Sequence, residues 1–345
     1  MLPIQDRLLG WYDQAARNLP WRETRDPYAI WVSEVMLQQT RVETVIPYYE
    51  RFLARFPTPA ALADADEDSV LSHWSGLGYY RRVRLLHAGV REVVARYGGE
   101  IPEDLDARRA LPGIGRYTAG AIGSIAFDKP EPVVDGNVTR VLARLLRIDT
   151  PVGSTATTKR LWEEAARLVP SDRPGDFNQA LMELGATVCT PRQPLCESCP
   201  LESECAAHAH GEVDALPVSK PKKEPTTVKL SAVVVTSGRG AGRTLWLVKG
   251  EDALFGGLWG VPMSDAEPRD ALREAGLRAR LQQGPVGKVE HLLTHRRLQV
   301  EVYRASGGRG EETKKLRPFR EEELEQVGVS TLTRKLLEAT LHGRR

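Results

Sequence analysis

The sequence predicts a mainly α N-terminal region followed by a smaller α+β C-terminal domain. Residues 1–188 repeat apolar side chains at helical spacing and show almost no strand-like alternation. Runs rich in β-branched residues begin only after Val228. Between the two regions, residues 206–227 include three prolines and three lysines, a composition typical of a linker. The length of 345 residues also fits roughly two domains, here 1–188 and 228–345.

Composition and charge exclude several classes of protein. With 41% hydrophobic and 27% charged residues, the chain is neither disordered nor collagen-like. It contains no run of 18 apolar residues, so we expect no membrane-spanning helix. Charged residues interrupt the first 18 positions, which favours an amphipathic helix over a secretory signal. Residues 218–345 hold 24 basic and 16 acidic side chains, an excess that suits a polyanionic partner.

Helix and strand signals place the main elements. Asp26 followed by Pro27 is typical of an N-cap and a first helical residue, and it predicts a helix over 28–39. Further helices are predicted over 116–126, around Val138 and Val141, and after Pro151. The elements predicted for the C-terminal domain are a hairpin of strands 230–236 and 244–248, a strand over 298–304, and helices over 268–275 and 331–341.

The four cysteines of the chain lie within 17 residues, in a segment that we call the cysteine loop, 189–205. They are Cys189, Cys196, Cys199 and Cys205. A disulfide framework would spread its cysteines and would need an oxidising compartment. Zinc sites usually combine two close cysteine pairs, whereas this spacing contains one. Uneven spacing in one compact loop favours a [4Fe-4S] cluster, with zinc as the second interpretation and no metal as the third.

The segment Leu111-Pro-Gly-Ile-Gly115 lies between two predicted helices. Gly113 and Gly115 would let the backbone turn tightly, so that amide N–H groups point outward near the start of the second helix. Such a turn binds a phosphate without reading a base. The same glycines also occur in simple helix–helix turns, so the segment by itself supports both interpretations.

Two carboxylates stand in environments that should separate their pKa values. Glu34 lies in a predicted helix that is apolar nearly all round, and burial would raise its pKa towards that of a general acid. Asp135 precedes the helix that carries Val138, and a helix N-terminus favours the anion. A neutral acid and an anion beside one bond form the arrangement that cleaves glycosidic bonds. A surface glutamate and a simple N-cap aspartate are the ordinary alternatives.

In this order, segments 111–115 and 134–137 and the cysteine loop resemble the endonuclease III superfamily of base-excision DNA glycosylases. Segments 19–22, 31–40 and 76–80 resemble its MutY branch, the adenine DNA glycosylases. The resemblance covers essentially the whole chain. It implies a helix-hairpin-helix glycosylase fold in which the four cysteines hold a [4Fe-4S] cluster.

The resemblance also implies roles for individual residues. Glu34 would protonate N7 of adenine, and Asp135 would stabilise the oxocarbenium ion or capture it transiently. Tyr117 and Asn137 would support the carboxylates and the sugar. The base pocket would be lined by Leu19, Trp21 and Arg22. Two residues would enter the duplex, Gln39 and Tyr79, for which a helix C-terminal glutamine and a core tyrosine are the alternatives.

The segment around Tyr117 separates branches of the superfamily. Relatives that also cut the strand carry a lysine in the hairpin, whose amine attacks the sugar, and Tyr117 occupies the matching place. A phenol cannot form that imine, so the resemblance implies a monofunctional glycosylase. Arg81, Arg82 and Arg84 could contact phosphates, with a solvated basic face as the alternative.

The C-terminal domain resembles the MutT-like module that recognises 8-oxoguanine opposite adenine, above all over residues 255–259. A hydrolase of that class needs adjacent acids on a helix to hold Mg²⁺, but Arg273 stands beside Glu274 here. We therefore expect lesion recognition without hydrolysis. Leu293-Thr-His295 aligns with a loop beside the damaged guanine, which implies contacts from Thr294 and His295, while leucine replaces an aromatic residue.

The predicted function is removal of adenine opposite 8-oxoguanine, and opposite guanine, without strand cleavage. The expected partner is double-stranded DNA with these mispairs, and the chain is expected to act as a monomer in the cytoplasm, at the nucleoid. One alternative is an iron–sulfur DNA-binding or redox-sensing protein, which would need neither Glu34 nor Asp135. The other is a bifunctional glycosylase and lyase, against which Tyr117 argues.

Overall fold

The computed structural model describes residues 2–219, 224–238, 240–251 and 255–341. Residues 220–223, which belong to the predicted linker, lie outside the described residues. The chain forms two compact units. The helical unit comprises Met1–Ala63 and Ala88–Pro221, and the sheet unit comprises Asp64–His87 and Lys222–Arg345.

The chain is helical up to the first strand, and residues 2–219 form no β-strand. In chain order, its helices there are α1 (Pro3–Ala15), α2 (Pro27–Leu37), α3 (Val42–Arg55), α4 (Pro59–Ala63), α5 (Glu67–His73), α6 (Arg81–Tyr97), α7 (Leu105–Ala110), α8 (Arg116–Phe127), α9 (Gly136–Leu145), α10 (Thr155–Leu168), α11 (Pro174–Thr187) and α12 (Ala206–Ala209). The predicted helical class of this region is confirmed. In the part of the chain that the structure describes, no helix has the length and apolar character to cross a bilayer.

Helix α2 is buried over most of its length, as expected for a helix that is apolar nearly all round. Residues 28–36 are all buried. The Asp26 carboxylate caps the helix by accepting a hydrogen bond from the Tyr28 N–H at 3.0 Å. The predicted end of this helix at Gln39 is wrong, because α2 ends at Leu37 and Gln39 has the left-handed φ of 59°.

Helices α9 and α11 approach closely where α9 begins. A Cβ atom at Gly185 of α11 would lie 2.6 Å from the Cβ of Asn137, so only glycine permits this approach. The contact brings the first turn of α9, which follows Asp135, against α11.

The sheet unit contains a mixed sheet whose described strands number eight. The strands are β1 (Thr226–Ser237), β2 (Thr244–Lys249), β3 (Trp259–Gly260), β4 (Met263–Ser264), β5 (Arg278–Leu281), β6 (Gly287–Leu292), β7 (Arg296–Arg309) and β8 (Leu316–Phe319). Their order is β3-β2-β1-β7-β5, with β4 on β1, β6 on β7 and β8 on β2. Strands β1 and β7 are parallel. The predicted hairpin of β1 and β2 is confirmed by the antiparallel pairing of Val235 with Trp246.

Helices α13 (Pro268–Glu274) and α14 (Thr331–Leu341) pack on the sheet through separate cores. Alternate residues of β1 point to opposite faces. Ala232 and Val234 lie in the core that includes α14, whereas Val233 and Val235 lie in the core that includes α13. The α+β class predicted for this part of the chain is confirmed.

Residues 64–87 belong to the sheet unit, although they precede the rest of that unit by more than a hundred positions. The hydroxyls of Ser75 and Tyr80 each donate to the Val329 carbonyl at 3.2 Å. Lys249 forms an ion pair with Asp68 at 2.8 Å. The local pattern of these residues is helical, which placed them in the predicted range 1–188. Their contacts with the sheet are long-range, and a local pattern does not predict them.

Candidate active site

A pocket of about 350 Å³ lies in the helical unit where several elements converge. Its lining includes Trp21 from the 3₁₀ turn before α2, Glu34 from α2, Tyr117 from α8, Asp135 at the start of α9, and Glu183 from α11. This volume falls within the range of about 300–1,000 Å³ that is usual for small-molecule sites. We call it the carboxylate pocket, because Glu34, Asp135 and Glu183 are its acidic lining residues among those described.

Glu34 is a buried carboxyl group with a phenol beside it. Glu34 is only 5% exposed, and its Oε2 accepts a hydrogen bond from the Tyr117 hydroxyl at 2.6 Å. Burial raises the pKa of Glu34 to about 7, and the negative charge of Asp135 adds to the rise. The hydrogen bond from Tyr117 and the charge of Arg22 oppose it. Near neutral pH, a substantial fraction of Glu34 therefore carries a proton that it can donate.

Asp135 is held by the first turn of α9. Its Oδ1 accepts from the Val138 N–H at 2.7 Å, and its Oδ2 accepts from Asn137 Nδ2 at 3.1 Å. Burial raises the pKa of Asp135 above its usual value, while these hydrogen bonds and the charge of Arg140 lower it. Burial therefore shifts this pKa in the direction opposite to the one that the helix N-terminus favours. Asp135 is an N-cap and also a pocket residue, so the two interpretations do not exclude each other.

Arg140 connects the carboxylate pocket with the cysteine loop. Its Nη2 donates to Asn137 Oδ1 at 2.9 Å and to the Gly185 carbonyl at 2.6 Å. Its Nε donates to the Cys189 carbonyl at 2.7 Å. Asn137 is therefore oriented by Arg140 on one side of its amide while the other side donates to Asp135.

Glu183 is a pocket residue that the sequence reasoning missed. Its side chain is 1% exposed, and it accepts hydrogen bonds from Arg17 Nε and Nη2 at 2.7 and 2.9 Å and from Arg22 Nη2 at 2.8 Å. Burial alone would raise its pKa, but the two arginines outweigh burial and lower the pKa to about 2. Glu183 is therefore an anion. The available signal was an acidic residue among apolar ones in α11, but its pairing with arginines about 160 positions away required the tertiary structure.

Most of the residues predicted for the base pocket line the carboxylate pocket. Leu19 and Trp21 are 5% and 7% exposed, and Arg22 lies beside them. Gln39 also lines the pocket and is exposed to solvent. The Tyr117 hydroxyl, which donates to Glu34, also lies 3.2 Å from Met182 Sδ, so the phenol is held across the pocket.

The predicted turn between α7 and α8 is present at residues 111–115. Leu111 and Ile114 are buried, so they anchor the turn. Gly113 has the left-handed φ of 81°, which glycine adopts without a steric penalty. Gly115 is the N-cap of α8, and a Cβ atom there would meet no atom within 4 Å. No neighbouring atom within 4 Å of that position would hinder a phosphate that approaches the N-terminus of α8.

The cysteine loop contains two short 3₁₀ helices, Cys196–Ser198 and Glu202–Glu204. Arg144 of α9 donates to Cys189 Sγ at 3.3 Å and to the Thr190 carbonyl at 2.8 Å. Burial raises the pKa of the Cys199 thiol to about 11, and the charges of the other three cysteines act in the same direction. A bound cationic group would relieve the repulsion among these groups as thiolates.

The four cysteines of the loop are free thiols, and together they supply the donor set that a [4Fe-4S] cluster uses, one thiolate for each iron. The hydrogen bond that Arg144 donates to Cys189 Sγ fits a thiolate ligand. Four thiols are also a donor set that zinc accepts, so it is the uneven spacing of the cysteines that favours the cluster.

Tyr79, Thr294 and His295 belong to the sheet unit and do not line the carboxylate pocket. Tyr79 is 50% exposed, so the alternative of a core tyrosine is wrong. Its hydroxyl lies 3.1 Å from Thr294 Oγ1. Thr294 and His295 are exposed in the turn between β6 and β7, whereas Leu293 packs against the core of the sheet.

Helix α13 carries no adjacent pair of acids in its described residues. Arg273 forms an ion pair with Asp270 at 2.7 Å. Glu274 accepts a hydrogen bond from the Ser264 hydroxyl at 3.4 Å. The cation at position 273 thus occupies the place where a magnesium-binding helix would present a second carboxylate.

Two protein families match separate parts of the chain. The family described as HhH-GPD superfamily base excision DNA repair protein matches residues 32–167. The NUDIX domain family matches residues 232–339. The first range includes Glu34, Tyr117 and Asp135, and the second includes Thr294 and His295.

Curated relatives are similar over most of the chain. The adenine DNA glycosylase of Mus musculus is 41% identical over 87% of this chain and 70% of its own length. The adenine DNA glycosylase of Homo sapiens is 41% identical over 86% of this chain and 65% of its own length. That of Arabidopsis thaliana is 38% identical over 87% of this chain and 56% of its own length.

Solved structures share the fold of the helical unit. A thermostable thymine-DNA glycosylase is 31% identical with a TM-score of 0.54, covering 60% of this chain and 95% of that chain. A trapped covalent intermediate of endonuclease III with DNA is 24% identical with a TM-score of 0.52, covering 60% of this chain and 94% of that chain.

Proposed function

Because the chain belongs to the family of adenine DNA glycosylases, enzymes of base-excision repair, we propose that it removes adenine mispaired with 8-oxoguanine or guanine. The reaction is hydrolysis of the N-glycosidic bond, which leaves an abasic site in an intact strand. The observation that carries the proposal is one pocket in which Glu34 is buried beside a phenol and Asp135 is held by hydrogen-bond donors.

Glu34 acts as the general acid. Its Oε2 accepts from Tyr117, so the proton is carried on the other oxygen, where a base in the pocket can receive it. Transfer of that proton to N7 of adenine withdraws electrons from the N-glycosidic bond and allows the base to leave as a neutral molecule. The Glu34 carboxylate that remains can then accept a proton from the attacking water.

Asp135 stabilises the sugar cation that forms as the bond breaks. The carboxylate is oriented by Val138 and Asn137 before the reaction, so no reorganisation is needed when the positive charge develops. Because the site is buried, the attraction between the anion and the cation is stronger than it would be in water.

Glu183 holds Arg17 and Arg22 at the wall of the pocket. Its Oε1 accepts from the Arg17 backbone N–H at 3.2 Å and from Arg17 Nε at 2.7 Å, and its Oε2 accepts from Arg17 Nη2 at 2.9 Å and from Arg22 Nη2 at 2.8 Å. These four hydrogen bonds occupy the usual acceptor sites of a carboxylate. Glu183 therefore acts on a base in the pocket through the arginines that it orients.

Tyr117 determines that the enzyme is monofunctional. Its hydroxyl is committed to Glu34 and Met182, and burial raises its pKa well above the usual value, so it stays a neutral phenol. A neutral phenol does not form a Schiff base with the sugar. Water is therefore the final nucleophile, and strand breakage requires later alkali or heat.

The sheet unit recognises the base opposite adenine. Tyr79, Thr294 and His295 are exposed and close in space, as shown by the contact between the Tyr79 and Thr294 hydroxyls. We assign Tyr79 and Gln39 to the duplex stack and Thr294 and His295 to 8-oxoguanine. We further propose that the chain acts on genomic DNA as a monomer.

The four cysteines hold a [4Fe-4S] cluster in the functional protein. Cys189 receives a hydrogen bond from Arg144, which would stabilise a thiolate that binds iron. Such a cluster supplies a rigid cross-link of the cysteine loop. Through the Cys189 carbonyl and Arg140, that loop is connected to Asn137 and the pocket.

The purified protein is expected to be brown, with a broad absorption near 400 nm and about four irons per chain. Exchange of Cys199 for serine is expected to remove most of this absorption and to lower the melting temperature. The measurement is the visible spectrum together with the iron and zinc content. A colourless protein with one zinc per chain would contradict the assignment.

Adenine release is expected to follow a bell-shaped pH profile. The pKa of Glu34 is raised to about 7, so the protonated acid is present below pH 7 and is lost above it. The rate should fall about tenfold per pH unit once the pH exceeds this value. On the acidic side, the rate should fall as Asp135 becomes protonated. Single-turnover rates between pH 5 and 9 test this, and a flat profile from pH 6 to 9 would contradict the role of Glu34.

A cleavage assay on a duplex with one 8-oxoguanine:adenine pair tests the proposal as a whole. We expect adenine to be released and the strand to break only after alkali. Strand breakage without alkali, with borohydride trapping of the protein on DNA, would instead support a bifunctional enzyme. If the duplex is bound but no adenine is released, the protein is a sensor and the proposal is wrong.

A further inference from the structure

The loop that presents Tyr79 has an uncommon backbone conformation. Gly76, Gly78 and Tyr79 have positive φ angles of 105°, 71° and 49°. Glycine adopts such angles readily, but for tyrosine they are unfavourable. A strained residue persists only where its surroundings impose the conformation, and Tyr79 also exposes half of its surface to solvent. The surroundings that impose this conformation include contacts within residues 74–82, in addition to the contact of the Tyr79 hydroxyl with Thr294.

Two side chains hydrogen-bond to the carbonyl that immediately precedes Tyr79. Trp74 Nε1 donates to the Gly78 carbonyl at 3.1 Å, and Arg82 Nη2 donates to the same oxygen at 3.3 Å. Rotation of the peptide between Gly78 and Tyr79 would break both hydrogen bonds. The orientation of the Tyr79 backbone is thus determined by Trp74 and Arg82.

Arg82 also contacts the Tyr79 ring itself. Its guanidinium carbon lies 5.4 Å from the centre of the Tyr79 ring and 5.3 Å from the centre of the Trp74 ring. Both distances are within the ~6 Å that defines a cation–π contact, and desolvation strengthens such contacts. Burial lowers the pKa of Arg82 to about 10, so the group is partly desolvated but remains a cation at neutral pH.

We propose that Arg82 is a positioning residue that holds Tyr79 in the orientation needed to enter the DNA stack. The proposal rests on the proposed function, in which Tyr79 occupies the stack beside the lesion. Arg82 then acts through Tyr79 and not through a phosphate. Its half-buried guanidinium faces the loop, in contrast to Arg81, which is exposed.

The chemistry of the contact requires an arginine. A guanidinium can lie flat against aromatic rings and at the same time donate a hydrogen bond from its edge. A lysine at position 82 would keep the charge, but its single ammonium group cannot make the ring contacts and the carbonyl contact together. The substitution Arg82→Lys therefore removes positioning while it preserves the attraction to DNA.

A double-mutant cycle tests the proposal. Single-turnover adenine release is measured on an 8-oxoguanine:adenine duplex for the wild-type protein, Arg82→Lys, Tyr79→Ala and the double variant. We expect Arg82→Lys to slow release about tenfold when Tyr79 is present and less than twofold when it is absent. Equal slowing in both backgrounds would show a general structural effect, and no slowing in either would show no effect; both outcomes overturn the proposal.

A second measurement is independent of catalysis. A fluorescent base analogue placed beside the 8-oxoguanine brightens when an inserted side chain unstacks it. We expect this signal with the wild-type protein, and we expect Arg82→Lys and Tyr79→Ala to lose most of it at saturating protein. A full signal with Arg82→Lys would overturn the proposal even if the variant were less stable.

Arg96→Lys is a matched control on the same helix. Arg96 is exposed and pairs with Glu92, so its exchange is expected to leave both readouts within twofold of the wild-type values. Failure of the proposed function is distinguishable, since it would appear as a wild-type protein that releases no adenine. In that case the fluorescence comparison still decides the role of Arg82.

Discussion

Replacing Glu34 with glutamine is expected to reduce adenine release by about 10³-fold or more. Glutamine is similar in size and can still accept the hydrogen bond from Tyr117, but it carries no acidic proton. General acid catalysis contributes roughly 10²–10⁴ in rate, and release of an unprotonated adenine anion is the unfavourable alternative. Single-turnover release from an 8-oxoguanine:adenine duplex measures the effect, and binding to that duplex should change little.

The same substitution is expected to stabilise the protein at high pH. The pKa of Glu34 is about 7 when folded and 4.5 in its ordinary state, so the folded protein binds the proton more tightly. Ionising the buried group lowers the free energy of unfolding. This loss is absent below pH 4.5 and reaches its full value of about 3 kcal/mol above pH 7. Glu34→Gln should therefore raise the melting temperature at pH 8, and this gain should disappear near pH 4.5.

Glu50→Gln is the matched control for both effects, because Glu50 lies exposed on α3. It is expected to change neither the release rate nor the pH dependence of melting. A Glu34→Gln protein that releases adenine within tenfold of the wild-type rate would contradict the assignment of the acid. A variant that is less stable at pH 8 would contradict the burial argument.

Exchange of Asp135 for asparagine is expected to reduce release by about 10³-fold while the protein still binds the mispaired duplex. Asparagine is a good N-cap residue, so the hydrogen bond to the Val138 N–H and the start of α9 should persist. What is lost is the negative charge opposite the developing sugar cation, a contribution of roughly 10²–10³ in comparable sites. Parallel measurement of binding and single-turnover release separates the two effects.

Asp104→Asn provides the control for this substitution. Asp104 caps α7 by accepting from the Ala107 N–H at 2.8 Å, and it is exposed outside the carboxylate pocket. Asp104→Asn is the same chemical change at a helix N-cap outside the pocket, so adenine release should stay close to the wild-type rate. If Asp135→Asn were as active as Asp104→Asn, the negative charge would have no role in the chemistry.

Together, the two pocket variants decide between an enzyme and a sensor. A protein that only detects mispairs would bind DNA equally well in all forms and release adenine in none. If the protein is an enzyme, the wild type releases adenine, and each pocket variant binds the duplex but no longer releases adenine. This comparison is independent of the cysteine loop, which both interpretations share.

Local sequence pattern predicted much of the fold because burial follows periodicity. The apolar run around Glu34 predicted a buried helix, and α2 is buried over residues 28–36. The end of that helix was predicted two residues too late, since Gln38 and Gln39 are compatible with a helix and only the turn that follows excludes them. The hairpin of β1 and β2 was predicted from two β-rich runs and the glycine-rich segment between them.

Some pocket residues could not be predicted, because their roles depend on distant partners. Glu183 is an ordinary helical glutamate in the sequence, and only its contacts with Arg17 and Arg22 make it a buried anion. The rise that burial causes in the pKa of Asp135 could not be predicted either, since a helix N-terminus is visible in the sequence whereas the degree of burial is not. Arg82 was predicted as a phosphate contact, and nothing in the sequence indicated its contacts with the Trp74 and Tyr79 rings and the Gly78 carbonyl.

The sequence by itself determined the two-part architecture, the cysteine spacing, and the two carboxylates that the proposed chemistry requires. These features follow from short-range patterns, which depend on propensity, periodicity and local capping. The tertiary structure decided that Glu34, Asp135 and Glu183 share one pocket, and that residues 64–87 pack with the sheet and bring Tyr79 to Thr294. Those relations arise from packing between positions far apart in the chain, and pKa values respond to that packing because desolvation depends on the whole surroundings of a group.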